Sequence, residues 1–196
     1  MNRPALKLLA AVSVLGLALG GCSQKSDTAA DASAAASDTM ALDIPEATDS
    51  AMPTQLAADS HGAMFLTDAM KGDNSEVKLG QLAVDQGGSD AVKKFGQMLA
   101  TDHAKHAADL ASLAAGMGVT KTDAATAEAD SAYAMLKALK GDAFDAAFKK
   151  HMVADHQKDI AKYEAEAKSK DPAALIGMAT DTLPTLRKHL AVAHGL

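Results

Sequence analysis

Phe95-Gly96-Gln97-Met98-Leu99-Ala100-Thr101-Asp102-His103 aligns without a gap on Phe148-Lys149-Lys150-His151-Met152-Val153-Ala154-Asp155-His156, at an offset of 53 residues for both the Phe and the His. In each copy the apolar residues recur three and four positions apart, the spacing of one face of an α-helix. A helical segment recurring at this distance is what a repeated helical hairpin produces, and two such hairpins build a bundle of approximate two-fold symmetry. Elsewhere no run alternates apolar and polar residues between hairpin turns, so the fold class is all-α.

Working outward, the same spacing predicts a first helix from near Ser60 to Gly87-Gly88, with an interruption at Gly72-Asp73-Asn74. Ser89 caps a second, which carries Phe95, Leu99, Leu110, Leu113 and Met117 on one stripe and ends at Gly116–Gly118. A weaker third runs from Asp123 to Leu139, with Gly141 as its terminator. The fourth starts at Asp142 and carries Phe144, Phe148, Met152, Ile160 and Tyr163. A fifth opens with Asp171 as cap and Pro172 in its first turn, and Pro184 predicts a kink or break near Thr180–Leu183. Short connections between long amphipathic helices give an antiparallel four-helix bundle with an additional C-terminal helix.

Before this domain, residues 1–21 read as a secretion signal: Arg3 and Lys7, an apolar run from Leu8 to Leu19, then Leu19-Gly20-Gly21-Cys22. The run is shorter than the roughly 20 residues that span a bilayer. Its last four residues resemble a lipobox, which makes Cys22, the only cysteine, the lipid-bearing first residue of the mature chain. Ser23 follows where an inner-membrane retention signal would have aspartate, which favours the outer membrane, with the domain facing the periplasm. Residues 22–59, rich in Ala, Ser, Thr and Asp, read as a flexible tether, leaving residues 60–196 as one domain.

Loss of Arg3 and Lys7 moves the net charge from -6 to -8. An acidic chain with no Trp, two Tyr and four Phe has neither the basic surface nor the stacking platforms of a nucleic-acid binder. With no second cysteine there is no disulfide within the domain, no Cys nucleophile and no thiolate metal site. No Gly-x-Ser-x-Gly elbow, phosphate-cradling glycine loop or His-Glu-x-x-His motif occurs, and no organic cofactor is expected. The methionines read as core filler in a chain poor in aromatics, and the alternating charges from Lys158 to Lys170 as a solvated helix face.

Helical placement turns several of the seven histidines inward. His103 and His106 share the stripe of Leu99, Leu110 and Met117; His156 shares that of Met152 and Ile160, with Asp159 beside it; His189 follows Leu186 by one turn. In the first helix Glu76 lies on the stripe of Phe65, Ala69, Leu79 and Ala83. Imidazoles and a carboxylate converging from four helices suit a divalent transition metal, so Glu76, His103, His156 and His189 form the expected ligand set, with His106 and Asp159 as secondary candidates. The alternative is a polar layer in which the imidazoles bond to Glu76, Asp102, Asp155 or backbone carbonyls and fix helix register. His61, His151 and His194 lie near a helix start, off the stripe and at the chain end. No Glu-x-x-His pair precedes His103, His156 or His189, which disfavours di-iron chemistry of the ferritin type.

The series Glu76-Val77-Lys78-Leu79-Gly80-Gln81-Leu82-Ala83, Val92-Lys93-Lys94-Phe95-Gly96-Gln97-Met98, Asp102-His103, Gly141-Asp142-Ala143-Phe144-Asp145, Asp155-His156 and Leu183-Pro184-Thr185-Leu186-Arg187-Lys188-His189-Leu190 resembles the bacterial domain of unknown function 4142. The resemblance covers Ser60 to Leu196. It implies a secreted or lipid-anchored envelope protein with a ferritin-like bundle and no established reaction, substrate or metal. The family pattern falls on Glu76, His103, His156 and His189. Three functional classes follow: an envelope domain that binds a metal ion, a purely structural or protein-interaction bundle, and a metal-dependent redox or hydrolytic enzyme.

Overall fold

The computed structural model describes residues 54–196; the expected signal segment, Cys22 and the tether as far as residue 53 lie outside the described residues. Five helices follow in order: α1 (His61–Gln86), α2 (Asp90–Gly116), α3 (Ala127–Lys137), α4 (Gly141–Glu166) and α5 (Ala173–Gly195). Among the described residues there is no strand, only an isolated bridge between Gly87 and Gly141. None of the described helices is long and apolar enough to cross a membrane.

Local chemistry sets most of the helix starts. The hydroxyls of Ser60, Ser89 and Thr126 accept from the amides of Ala63, Val92 and Ala129, each three residues on, and each such cap stabilises its helix by about 1 kcal/mol. α1 runs through Gly72-Asp73-Asn74 without the expected interruption. The reason is that these polar side chains bond outside their own turn. The Asn74 amide donates to the carbonyls of Thr122 and Ala124, and Asp73 accepts from histidines of α2. α3 is shorter than expected, because residues 118–126 run beside α1, where Ser75 Oγ accepts from the Thr126 amide.

α5 also departs from expectation. Pro172, not Asp171, stands at its cap, and the Asp171 carboxylate turns away to His61. Pro184 lies inside a helix that does not break. Both Pro184 and Thr180, whose carbonyl loses its intrahelical partner, are exposed, so water can supply the missing bond.

Contacts between helices give their directions. Asp73 meets His103 and Gly80 meets Gly96, so α1 and α2 are antiparallel. Met152 shares one core cluster with Ala193 and Tyr163 shares the other with Leu183, so α4 and α5 are antiparallel too. Phe95 meets Phe148 and His103 meets His156, so α2 and α4 run parallel. A crossover through residues 117–140, carrying α3, returns the chain to the end where α2 began. There Gly141 turns at φ +54° and the Asp145 carboxylate accepts from the amides of Gly88 and Ser89. The four long helices are thus α1, α2, α4 and α5. The C-terminal helix, expected as an addition to the bundle, is one of its members, and the supernumerary helix is α3.

The core falls into two apolar clusters. One holds Leu79, Phe95, Leu99, Phe144, Phe148, Met152 and Ala193. The other holds Phe65, Leu66, Leu110, Tyr163, Leu175 and Leu183, and Leu56 packs on it, with its amide donating to the Met117 carbonyl. On every long helix the residues between the two clusters are polar: Asp73 and Glu76, His103 and His106, His156 and Asp159, and His189.

α1 and α2 approach most closely at Gly80 and Gly96. A Cβ on either would stand 2.6 Å from the other's carbonyl oxygen, whereas one on Gly72 would meet nothing within 4 Å. We expect Gly80→Ala or Gly96→Ala to lose about 1–3 kcal/mol in denaturant unfolding, although alanine is the better helix former. Gly72→Ala, under the same measurement, should gain up to about 1 kcal/mol.

Candidate metal centre

The polar belt brings three histidines together. His103 from α2, His156 from α4 and His189 from α5 each offer one ring nitrogen, and these nitrogens lie within 4.8 Å of one another. The rings are buried, with centroids 5.3 to 6.0 Å apart. Nitrogens bound at about 2.1 Å to a tetrahedral ion would be about 3.4 Å apart, so closing on an ion takes ring movements of under about 1 Å.

The outer nitrogen of each ring is held. His103 Nδ1 donates to Asp73 Oδ1 at 2.8 Å, His156 Nδ1 to the Met152 carbonyl at 2.9 Å and His189 Nε2 to Asp102 Oδ2 at 2.9 Å. A carboxylate or carbonyl only accepts, so each ring carries a proton on its outer nitrogen, and in a neutral ring the inner nitrogen is then the one with the lone pair. The inner atoms, His103 Nε2, His156 Nε2 and His189 Nδ1, are buried without a hydrogen-bond partner. Outer acceptors of this kind fix tautomer and ring orientation in metal sites and make the imidazole a stronger ligand.

Glu76 is wholly buried, and neither of its carboxylate oxygens has a hydrogen-bond partner. Its Oε1 stands 4.0 Å from His156 Nδ1, on the outer side of that ring, so Glu76 borders the three-histidine convergence without joining it. Burial, then the nearby charge of Asp155, raises its pKa well above the usual carboxylate range. Burial, then the neighbouring His103 and His189, pushes His156 down to about 4. Burial also lowers His189, against the bond to Asp102. Three imidazoles and a carboxylate left unpaired in the interior cost about 1–3 kcal/mol each. Their sum approaches the whole net stability of a domain, about 5–15 kcal/mol.

The two secondary candidates lie outside the convergence. His106 Nδ1 donates to the other side of Asp73 at 2.9 Å, and its Nε2 is 3.0 Å from the Thr182 hydroxyl. Asp159 lies 3.4 Å from Lys162 Nζ and lines a cavity of about 10 Å³, room for one water, with Asp73 and Tyr163. Asp73 itself escapes the sequence reading, which places it in a helix interruption. Its position four after Ala69 and three before Glu76 is the signal that places it on the inward stripe. Asp102, named above only as a partner for an imidazole in the polar-layer alternative, has that role toward His189. A groove of about 790 Å³ between α2 and α5 runs past the centre, lined by His103, His106, His189 and Asp102 among others.

Fold and site together define an all-helical bundle protein with a buried histidine centre. The chain belongs to the family described as domain of unknown function (DUF4142), whose model matches residues 45–196. No curated protein matches the chain. Among solved structures it is similar to the crystal structure of a DUF305 fragment from Deinococcus radiodurans, with a TM-score of 0.63 and 12% identity over 73% of this chain and 97% of that one. At that identity the likeness speaks for the fold alone.

In metal-free protein the two perturbed groups oppose each other. Unfolding returns His156 from about 4 to 6.5, so its contribution is full above pH 6.5 and is lost as the pH falls toward 4, by on the order of 3 kcal/mol. Glu76, with its raised pKa, holds a proton that the unfolded chain releases above pH 4.5, so its contribution falls as the pH rises. Denaturant unfolding of metal-free Glu76→Gln should therefore gain stability more steeply than the parent between pH 4.5 and 6.5. Parallel curves would mean that Glu76 is ionised in the folded chain.

Proposed function

We propose that this chain is a lipid-anchored protein of the bacterial cell envelope whose helical domain binds one divalent transition-metal ion. The ligands are His103 Nε2, His156 Nε2 and His189 Nδ1, and Glu76 supplies compensating negative charge beside them. One observation supports this above all: three buried rings bring one nitrogen each within 4.8 Å of the others, and each ring has a buried nitrogen without a hydrogen-bond partner. Three neutral imidazoles suit zinc, copper, iron or nickel, and a three-ligand set leaves a further coordination position. Binding is the function proposed here, in metal handling or in contact with an envelope partner.

The groove between α2 and α5 favours a second reading, a metal-dependent redox or hydrolytic enzyme. A substrate there would lie against the Asp102–His189 pair, close to the ligands.

The anchor rests on Leu19-Gly20-Gly21-Cys22 closing an apolar segment that follows Arg3 and Lys7. Residues 1–21 are then removed, Cys22 carries the lipid, and residues 22–59 tether the domain to the outer membrane on its periplasmic side.

Two measurements test these proposals. Elemental analysis of the full chain, purified without a metal-affinity tag, should find one equivalent of metal in the parent and none in His103→Ala/His156→Ala. A parent that stays metal-free after incubation with divalent ions would sink the metal reading and leave a polar-cored interaction module. Separately, radiolabelled palmitate fed to bacteria expressing the chain should mark the parent and leave Cys22→Ser unlabelled. Equal labelling, or none in either, would reject the anchor.

A further inference from the structure

A second cluster of ligand-type side chains lies at the start of α1. His61, the first residue of α1, has Nδ1 2.7 Å from Asp171 Oδ2 and 3.4 Å from Glu166 Oε2, and these three donor atoms lie within 4.8 Å of one another. They come from three places: the start of α1, the end of α4 and the turn before α5.

Two features separate this cluster from a chance surface ion pair. Glu166 is wholly buried although its partner His61 is exposed. Its Oε1 accepts from Ser169 Oγ, while its Oε2 is buried, faces His61 and has no hydrogen-bond partner. A carboxylate oxygen so placed costs free energy unless a positive charge answers it. Asp171, in turn, leaves the capping position before Pro172 and brings its carboxylate over the start of α1. Gly62 makes room for that approach, since a Cβ there would stand 3.1 Å from Asp171 Oδ2.

We propose that His61 Nδ1, Glu166 Oε2 and Asp171 Oδ2 form a second divalent transition-metal site, distinct from the central one and open to solvent. One imidazole nitrogen and two carboxylate oxygens suit zinc or manganese, and the two carboxylates neutralise the ion. His61 is exposed, so an ion enters from solvent and completes its coordination with water. A proton on His61 Nδ1 answers the same carboxylates, so metal and proton compete for one atom. Bound metal ties the start of α1 to the α4–α5 turn, a mechanical role that the central site does not share.

The test is a Zn²⁺ titration of the metal-stripped full chain, followed by competition with a chromophoric chelator. Two classes of equivalents are expected in the parent. His61→Gln should remove one equivalent, Asp171→Asn should weaken that equivalent about tenfold or more, and the exposed control His194→Gln should change nothing. The equivalent lost in His61→Gln must survive in His103→Ala/His156→Ala, so the two sites fail or stand separately. Zn²⁺ uptake unchanged in both His61→Gln and Asp171→Asn would overturn the site and leave an ion pair. A loss of equal size in His194→Gln would overturn it as well, by marking unspecific binding to surface imidazoles.

Discussion

Three imidazoles that converge inside a helical bundle, each with a buried nitrogen that has no hydrogen-bond partner, are the constraint on which the rest of the structure depends. The outer nitrogen of each ring donates to Asp73, the Met152 carbonyl or Asp102. These outer bonds keep the rings from turning a donor inward. Asp73 does more than hold His103, because it also accepts from His106 and so links the buried centre to the groove wall at Thr182. Apolar clusters lie on either side of the layer and the inner ring nitrogens are buried, which makes acceptors left unmet there costly.

The chain reaches this arrangement through its crossover. A short loop after α2 would have made α4 antiparallel to it, and residues 53 apart would have fallen at different heights. Because residues 117–140 return the chain to the starting end, Phe95 pairs with Phe148 and His103 with His156 across the bundle. The small turn at Gly87-Gly88-Ser89 and the start of α4 are clamped together by Asp145, which fixes that height. Gly80 and Gly96 let α1 lie close enough to α2 for Asp73 to reach both His103 and His106.

Much of this was legible in the residues alone. Helical periodicity and the serine cap at 89 are local signals, and local signals place α1, α2 and the start of α4 within a residue or two. The repeat, though short, marks the pair of parallel helices, and stripe analysis turned Glu76, His103, His156 and His189 inward, where they are. The rest depended on tertiary partners. Gly72-Asp73-Asn74 reads as a breaker until its side chains find His103 and the Thr122 and Ala124 carbonyls. Asp171 reads as a cap until His61 competes for it. That Glu76 faces the outer side of His156 could not be read from a stripe, because a stripe gives direction toward the core and not which atom meets which.

The choice between an ion and a plain polar layer comes down to donors. A layer satisfied by hydrogen bonds needs a proton for each acceptor. Here the inner acceptors are three ring nitrogens, the protons on the outer nitrogens point away, and Glu76, whose pKa burial raises, lies on the outer side of His156. One water offers two donors, which leaves one of the three ring nitrogens unmet. An added proton on His156 would serve one neighbour at best, and burial holds that ring neutral to about pH 4. A divalent ion accepts several lone pairs at once, and its charge answers that of a carboxylate beside it. Of these partners, a divalent ion is the one proposed, because it would balance all three imidazoles in one place, and the outer bonds are of the kind that keep such ligands aimed.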